Sequence, residues 1–365
     1  MNEGISELYS SPLFHFSLHS KELFHSNFLE WLSLDPELRP VFKAVMKGVG
    51  IDNIADDFEV CREKYNLDLI VKAPDREVRI GRKRHIVRKW YAVIENKVKS
   101  VPSQQQLQEY TDKIVKFCDN ESNSVAKILL TLGNYNQSLP NGWRQVGYST
   151  IIDALDEALP QVQNPYKKAI ISDYITMVDV LSRIVGDIGV SGDSKYLSVP
   201  CKEIEDLRIS DMIDKYRSSY IANTIISEYK FQCSHGYTNK QSLIEFNVEV
   251  NGISMGVQIQ GAQYRHYIVD KSELDILRKS DGFLCATRAE FRDKMLKRFP
   301  DVFSPKKVKG EQNKNFCSYA GNDGKTFWYQ YVIIKPEATI NQVIQCLVED
   351  AKYLQRLNSN KSEEQ

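Results

Sequence analysis

Trp90-Tyr91-Ala92-Val93-Ile94-Glu95-Asn96-Lys97-Val98 reads as a buried strand that ends in charge. Tyr91 to Ile94 lead in with apolar and β-branched side chains, and Glu95 and Lys97 follow where burial disfavours ionised groups. A strand repeats every two residues, so Glu95 and Lys97 share one face and Asn96 is turned to the other. Alone, the two charges read as a plain ion pair. Asn66-Leu67-Asp68-Leu69-Ile70-Val71 changes that balance, because it is a second apolar strand interrupted by one carboxylate. Asp68 on one strand, with Glu95-x-Lys97 ending another, has the spacing of a hard-cation site. Two carboxylates suit Mg2+ (or Mn2+), and a lysine stands near the attacking water.

Asp68, Glu95, Asn96 and Lys97 together resemble the D…(D/E)-x-K core of the PD-(D/E)XK nuclease superfamily. Gln106-Leu107-Gln108-Glu109-Tyr110 resembles the QxxxY element of its exonuclease-like and RecB-like branches. Upstream, Glu22-Leu23-Phe24-His25-Ser26 and Leu29-Glu30-Trp31-Leu32 resemble the E-x-x-H-S…L-x-W-L opening of a bacterial and phage branch. Leu130-Thr131-Leu132 as a core strand, and Trp143 to Tyr148 leading into a helix, fit the same branch. The likeness runs from about residue 20 to residue 185. One departure stands out: Leu67, not proline, precedes Asp68, and Pro74-Asp75 lies past the strand in what reads as a turn.

The resemblance implies a restriction-endonuclease-like α/β fold, a mixed sheet flanked by helices. It implies metal-dependent hydrolysis of DNA phosphodiester bonds, in restriction or phage defence. Asp68 and Glu95 are then metal ligands, joined by Glu22 from the first helix. Lys97 orients the water, while Gln106 and Tyr110 position the substrate phosphate. A competing reading is a catalytically silent nuclease fold, with a C-terminal domain that recognises a nucleic acid, ligand or protein partner.

A chain of 365 residues is too long for one typical core and comfortable for two. Gly186 to Ser194 holds three glycines and two serines, so the expected division is a nuclease-like domain over 1–186, a linker over 187–199 and an α+β domain over 200–365. In the first domain the pattern predicts helices over 20–34, 39–49, 101–118, 150–159 and 166–185. Strands are expected over 58–61, 67–72, 90–97, 126–132 and 144–148. The first helix is expected to bury Leu23, Phe24, Phe28, Trp31 and Leu32. In the second domain, helices are expected over 201–216, 220–231, 271–279, 288–298 and 340–357. Strands at 243–250 and 255–259 should turn at Asn251-Gly252, with further strands over 264–269 and 327–334.

Formal net charge is zero, so a nucleic-acid partner must be held by a local patch. Arg76 to Lys89 supplies one, with seven Lys/Arg against a single Glu in fourteen residues. Arg82, Lys83 and Arg84 are its densest part. The segment alternates with apolar residues and reads as a protruding hairpin or loop that starts near the acidic site, suited to gripping phosphates. Seven scattered cysteines without C-x-x-C spacing indicate reduced thiols, and no apolar run reaches transmembrane length; the expectation is a cytoplasmic protein. No P-loop, GxGxxG or HExxH occurs. A homodimer, and a protein or small-molecule regulator acting through the second domain, are left open.

Overall fold

The strand Trp90–Lys97 (β5) lies at the centre of a five-stranded sheet, buried at every position but Tyr91, which is partly exposed. The computed structural model describes residues 2–17, 22–80, 83–98, 104–118, 124–133, 139–140, 142–187, 191–197, 209–238, 241–250, 253–270, 317–320 and 326–359, with single positions 205, 207, 293 and 297. The chain divides into two units, residues 1–189 with 200–216, and residues 190–199 with 217–365.

In the first unit the helices are Asn2–Ser10 (α1), Pro12–Phe16 (α2), Glu22–Leu34 (α3) and Arg39–Gly48 (α4). Strands Glu59–Arg62 (β1) and Leu69–Lys72 (β2) come next, then a separate hairpin of Arg76–Ile80 (β3) and Lys83–Val87 (β4). After β5 come Gln104–Cys118 (α5), Ala126–Thr131 (β6), Trp143–Gly147 (β7), Tyr148–Ala158 (α6) and Pro165–Asp187 (α7). The sheet order is β1-β2-β5-β6-β7, antiparallel from β1 to β5 and parallel from β5 to β7. A parallel neighbour requires a crossover, and α5 supplies it. This mixed sheet flanked by helices is the restriction-endonuclease-like α/β architecture.

One side of the sheet is filled by Ile70, Val93 and Leu129 packed against Leu107, Tyr110, Ile114 and Cys118 of α5. Each fully buried aliphatic side chain here contributes about 1.5–3 kcal/mol relative to exposure. Because β5 has period two, Glu95 and Lys97 share that side with Val93, at the strand's C-terminal end.

Helix α3 buries Phe28 and Leu32 as expected, but the rest of its inward face differs from the expected one. Leu23 is 46% exposed and Trp31 partly exposed, while His25, Ser26, Phe28, Leu29, Leu32 and Ser33 are buried. Apolar periodicity pointed elsewhere because three of the inward residues are polar, and each finds a hydrogen-bond partner. Helices α1 and α2, unmarked by any clear period, bury Leu8 and Phe14 completely. In α5, Tyr110 is on the buried face and Val115 is 50% exposed.

The second unit holds a six-stranded antiparallel sheet in the order β12-β13-β11-β10-β9-β8. Its strands are Ser234–Thr238 (β8), Gln241–Val250 (β9), Ile253–Gln260 (β10), Gln263–Asp270 (β11), Cys317–Ala320 (β12) and Thr326–Ile333 (β13). One core joins Ile244, Val257, Ile259 and Ile268 of the sheet to Ile221 and Ile225 of one helix and Val343, Leu347 and Leu354 of another. These are Ser210–Tyr229 (α8), which belongs to this unit from Arg217 onward, and Ile340–Ser359 (α9). Where two helices were expected around residues 216–220, α8 is continuous. Ser218 and Ser219, which read as a break, are buried in it, and Asn223 Nδ2 donates to Ser219 Oγ at 3.2 Å. The expected turn at 251–252 and helices over 271–279 and 288–298 lie outside the described residues.

Candidate active site

Asp68 is delivered by a tight connection between β1 and β2. Arg62 pairs with Leu69, and between them Glu63, Tyr65 and Asn66 have φ of 52°, 61° and 57°. Asparagine tolerates this left-handed region; for Glu63 and Tyr65 it costs on the order of 1 kcal/mol or more each. The Tyr65 ring stacks on Phe117 at 3.9 Å and on Trp90 at 6.0 Å, which holds the turn in place. Leu69 then registers with Ile94, so Asp68, one residue earlier, comes alongside Glu95. The backbone N–H of Asn96 donates to Asp68 Oδ2 at 2.9 Å.

Glu95 is fully buried, and its Oε1 lies 2.8 Å from Lys97 Nζ. Its other oxygen, Oε2, is buried and accepts no hydrogen bond. Burial, and then the charge of Asp68, push the Glu95 carboxyl up to about 7, against the pull of Lys97. Asp68 is raised as well, mainly by burial and in spite of the Asn96 N–H. Burial alone favours a neutral Lys97, but Glu95 and Glu22 outweigh it and hold the ammonium above its ordinary range. Glu22, from the first turn of α3, places Oε2 3.8 Å from Lys97 Nζ. Three carboxylates therefore surround one cation.

Gln106 and Tyr110, one turn apart on α5, reach the same group. Gln106 Nε2 donates to Tyr110 Oη at 2.6 Å, and both lie 3.4 Å from Glu95 Oε1. Burial, followed by the Glu95 charge, raises the Tyr110 phenol. Glu22, Asp68, Glu95, Lys97, Gln106 and Tyr110 thus converge at one end of β5.

The basic segment does not. β2 and β5 are antiparallel, and the hairpin joins them at the end opposite the acids, where Lys72 pairs with Trp90. Five residue steps along the strand take Trp90 to Glu95, about 16 Å at roughly 3.3 Å per residue. The expectation that this segment starts beside the chemistry is corrected by strand direction. Arg84 is exposed and its Nε lies 3.2 Å from Glu77. Lys83 opens β4, and Arg82 lies outside the described residues.

Among the described residues, no three His, Cys, Asp or Glu side chains converge into a ready-made metal cage. The donor set still fits a hard divalent cation. It is all carboxylate oxygen, it carries excess negative charge, and Glu95 Oε2 lacks a partner. Mg2+ keeps several waters and takes one or two carboxylates, which Asp68 and Glu95 can provide.

Sequence reasoning missed the hydrogen bonding on the reverse side of β5. Asn96 Nδ2 donates to the Glu22 carbonyl at 3.1 Å and to Ser26 Oγ at 3.4 Å, and its Oδ1 accepts from Tyr148 Oη at 2.5 Å. The available signal was Ser26, a polar residue one turn from Glu22.

Compared with known protein families, residues 13–176 match the PD-(D/E)XK nuclease superfamily. The match lies wholly within the first unit and supports that unit's membership of the superfamily. No curated protein and no solved structure matches the chain. Members of the superfamily are generally phosphodiesterases acting on nucleic acid, and among the described residues no helix is long and apolar enough to cross a membrane.

Proposed function

We propose that the first unit is a divalent-metal-dependent nuclease that hydrolyses DNA phosphodiester bonds. The observation that carries this reading is the buried Asp68–Glu95–Lys97 cluster, with one carboxylate oxygen unpartnered and Glu95 poised at about 7. Asp68 and Glu95, with Glu22 beside them, would hold Mg2+ or Mn2+. When bound, such an ion neutralises phosphoryl oxygens and acidifies its own water. Lys97 stays protonated, so its part is electrostatic: it orients the water and offsets charge building on the phosphorus oxygens. Water adds to phosphorus, one P–O ester bond breaks, and the leaving oxygen takes up a proton. Gln106 and Tyr110 hold the phosphate against this end of the strand. A role in restriction or phage defence rests on family analogy.

The test is cleavage of supercoiled and linear plasmid by the purified chain in Mg2+, in Mn2+ and in EDTA. Nicking or degradation confined to the metal-containing reactions supports the reading. Equal cleavage in EDTA, or none with either metal, overturns it.

The exposed β3–β4 hairpin would grip the duplex away from the cut. Arg79 stands directly opposite Arg84 across the two strands, a like-charge pair that a bound phosphate relieves. Its base is about 16 Å from the acids, close to five base-pair rises of about 3.4 Å. Replacing Arg82, Lys83 and Arg84 with Ser should weaken duplex binding. It should flatten the log K against log salt slope by about two to three, just under one per phosphate contact. The loss should be alike for two unrelated duplexes, because phosphate contacts carry no base information. Fluorescence anisotropy across a salt series reads both effects, and an unchanged slope removes the hairpin from the interface.

A further inference from the structure

The reverse side of β5 is built as carefully as the side that carries the acids. Asn96 is 1% exposed, and Tyr148, Tyr174 and His25 are fully buried. Asn96 directs both of its amide contacts to α3, at the Glu22 carbonyl and Ser26 Oγ, so its Oδ1 is left as an acceptor. Tyr148, the first residue of α6, gives its one hydroxyl proton to that oxygen. Tyr174 of α7 is buried on the same side, and burial raises both phenols. His25 Nδ1 is hydrogen-bonded to Tyr174 Oη at 2.9 Å. Phe28 stacks flat on Tyr174 at 3.5 Å and 6°, and His25 meets both tyrosines edge-on at 5.4 and 5.6 Å.

A buried polar cluster of His25, Tyr174, Tyr148 and Asn96 therefore backs β5. It draws on α3, α7 and α6 and includes the residue between Glu95 and Lys97. From Asn96 it reaches the acids by two routes. The backbone N–H holds Asp68 Oδ2 at 2.9 Å, and the side chain holds the Glu22 carbonyl. We infer that Tyr148 and Asn96 are positioning residues for the metal-dependent reaction, setting where Glu22 and Asp68 stand relative to Glu95 and Lys97. This inference rests on the nuclease reading above.

Neither residue touches the reacting atoms, so the effect should fall on turnover and metal affinity and leave substrate binding alone. Tyr148→Phe removes one oxygen and keeps the ring. Measured well below its melting temperature, it should lower kcat by roughly 10- to 100-fold with an unchanged KM for a duplex. Calorimetric Mn2+ affinity, read without any turnover, should weaken about tenfold. Tyr174→Phe, in the same cluster, should show the same pattern at smaller amplitude, and it serves as the test variant if Tyr148→Phe does not fold.

A folded variant with wild-type kcat and wild-type Mn2+ affinity overturns the inference while the nuclease reading stands. A lowered melting temperature with normal turnover per folded molecule makes the network merely structural and overturns it as well. A wild-type chain that neither cleaves nor binds Mn2+ overturns the nuclease reading, and this inference with it.

Discussion

Glu95→Gln is expected to abolish cleavage and, without metal, to make the folded protein more stable above pH 7. A carboxylate whose folded pKa is raised from 4.5 to about 7 binds its proton more tightly in the native state. Its favourable contribution is complete below the unfolded value of 4.5 and is lost as pH rises through 7. Above that point the wild type keeps a buried anion beside Asp68, at a cost of up to about 3 kcal/mol. Glutamine carries no such charge at any pH. The two proteins should therefore melt together near pH 4.5 and diverge by several degrees at pH 8, with the variant higher.

Saturating Mg2+ should reverse the order, because an ion bound only by the native wild type stabilises it by mass action. Asp68→Asn should behave alike in cleavage. Thermal melts at pH 4.5 and 8, with EDTA and with Mg2+, read the whole set. A Glu95→Gln protein that is less stable than wild type at pH 8 in EDTA would return Glu95 to the role of a structural ion-pair partner.

Lys97→Ala is expected to reduce turnover by roughly two to four powers of ten, the scale of one positioned electrostatic group. Lys97 is held protonated by Glu95 and Glu22, so it has no lone pair with which to act as a base at neutral pH. Mn2+ affinity should accordingly rise as pH passes through about 7 with Glu95, because the ion competes with its proton, and Lys97 should set no limb of the activity profile near neutrality. Calorimetric Mn2+ binding should survive the substitution, because a cation is no metal ligand and its removal leaves Asp68 and Glu95 more available. Lys97→Ala with a wild-type rate would leave the cluster without its electrostatic element. A complete loss of Mn2+ binding would show that Lys97 instead maintains the geometry of the acids.

Much of the site was legible in the chain because strand periodicity is a local property. Glu95 and Lys97 share a face by counting in twos, and the structure adds only the 2.8 Å contact. Gln106 and Tyr110 are one helical turn apart, and their meeting at Glu95 follows once α5 is the crossover that covers β5. Two other features were not local. Helix α3 turns His25 and Ser26 inward, against its own apolar pattern, because partners on α7 and β5 satisfy them. The basic hairpin was taken to begin near the acids, since it links their strands; antiparallel pairing puts that link at the far end.

What the sequence alone determined was the identity of the acids and the lysine, the strands near them, and the run of like charges between those strands. These depend on residue type and on spacing within about ten positions. Tertiary structure decided which groups stand behind the site. His25, Tyr174, Tyr148 and Asn96 lie on four elements, and 149 residues separate the first hydrogen-bonded pair along the chain. No periodicity encodes a contact of that range. It exists because buried polar groups are costly without partners, and the fold brought these together.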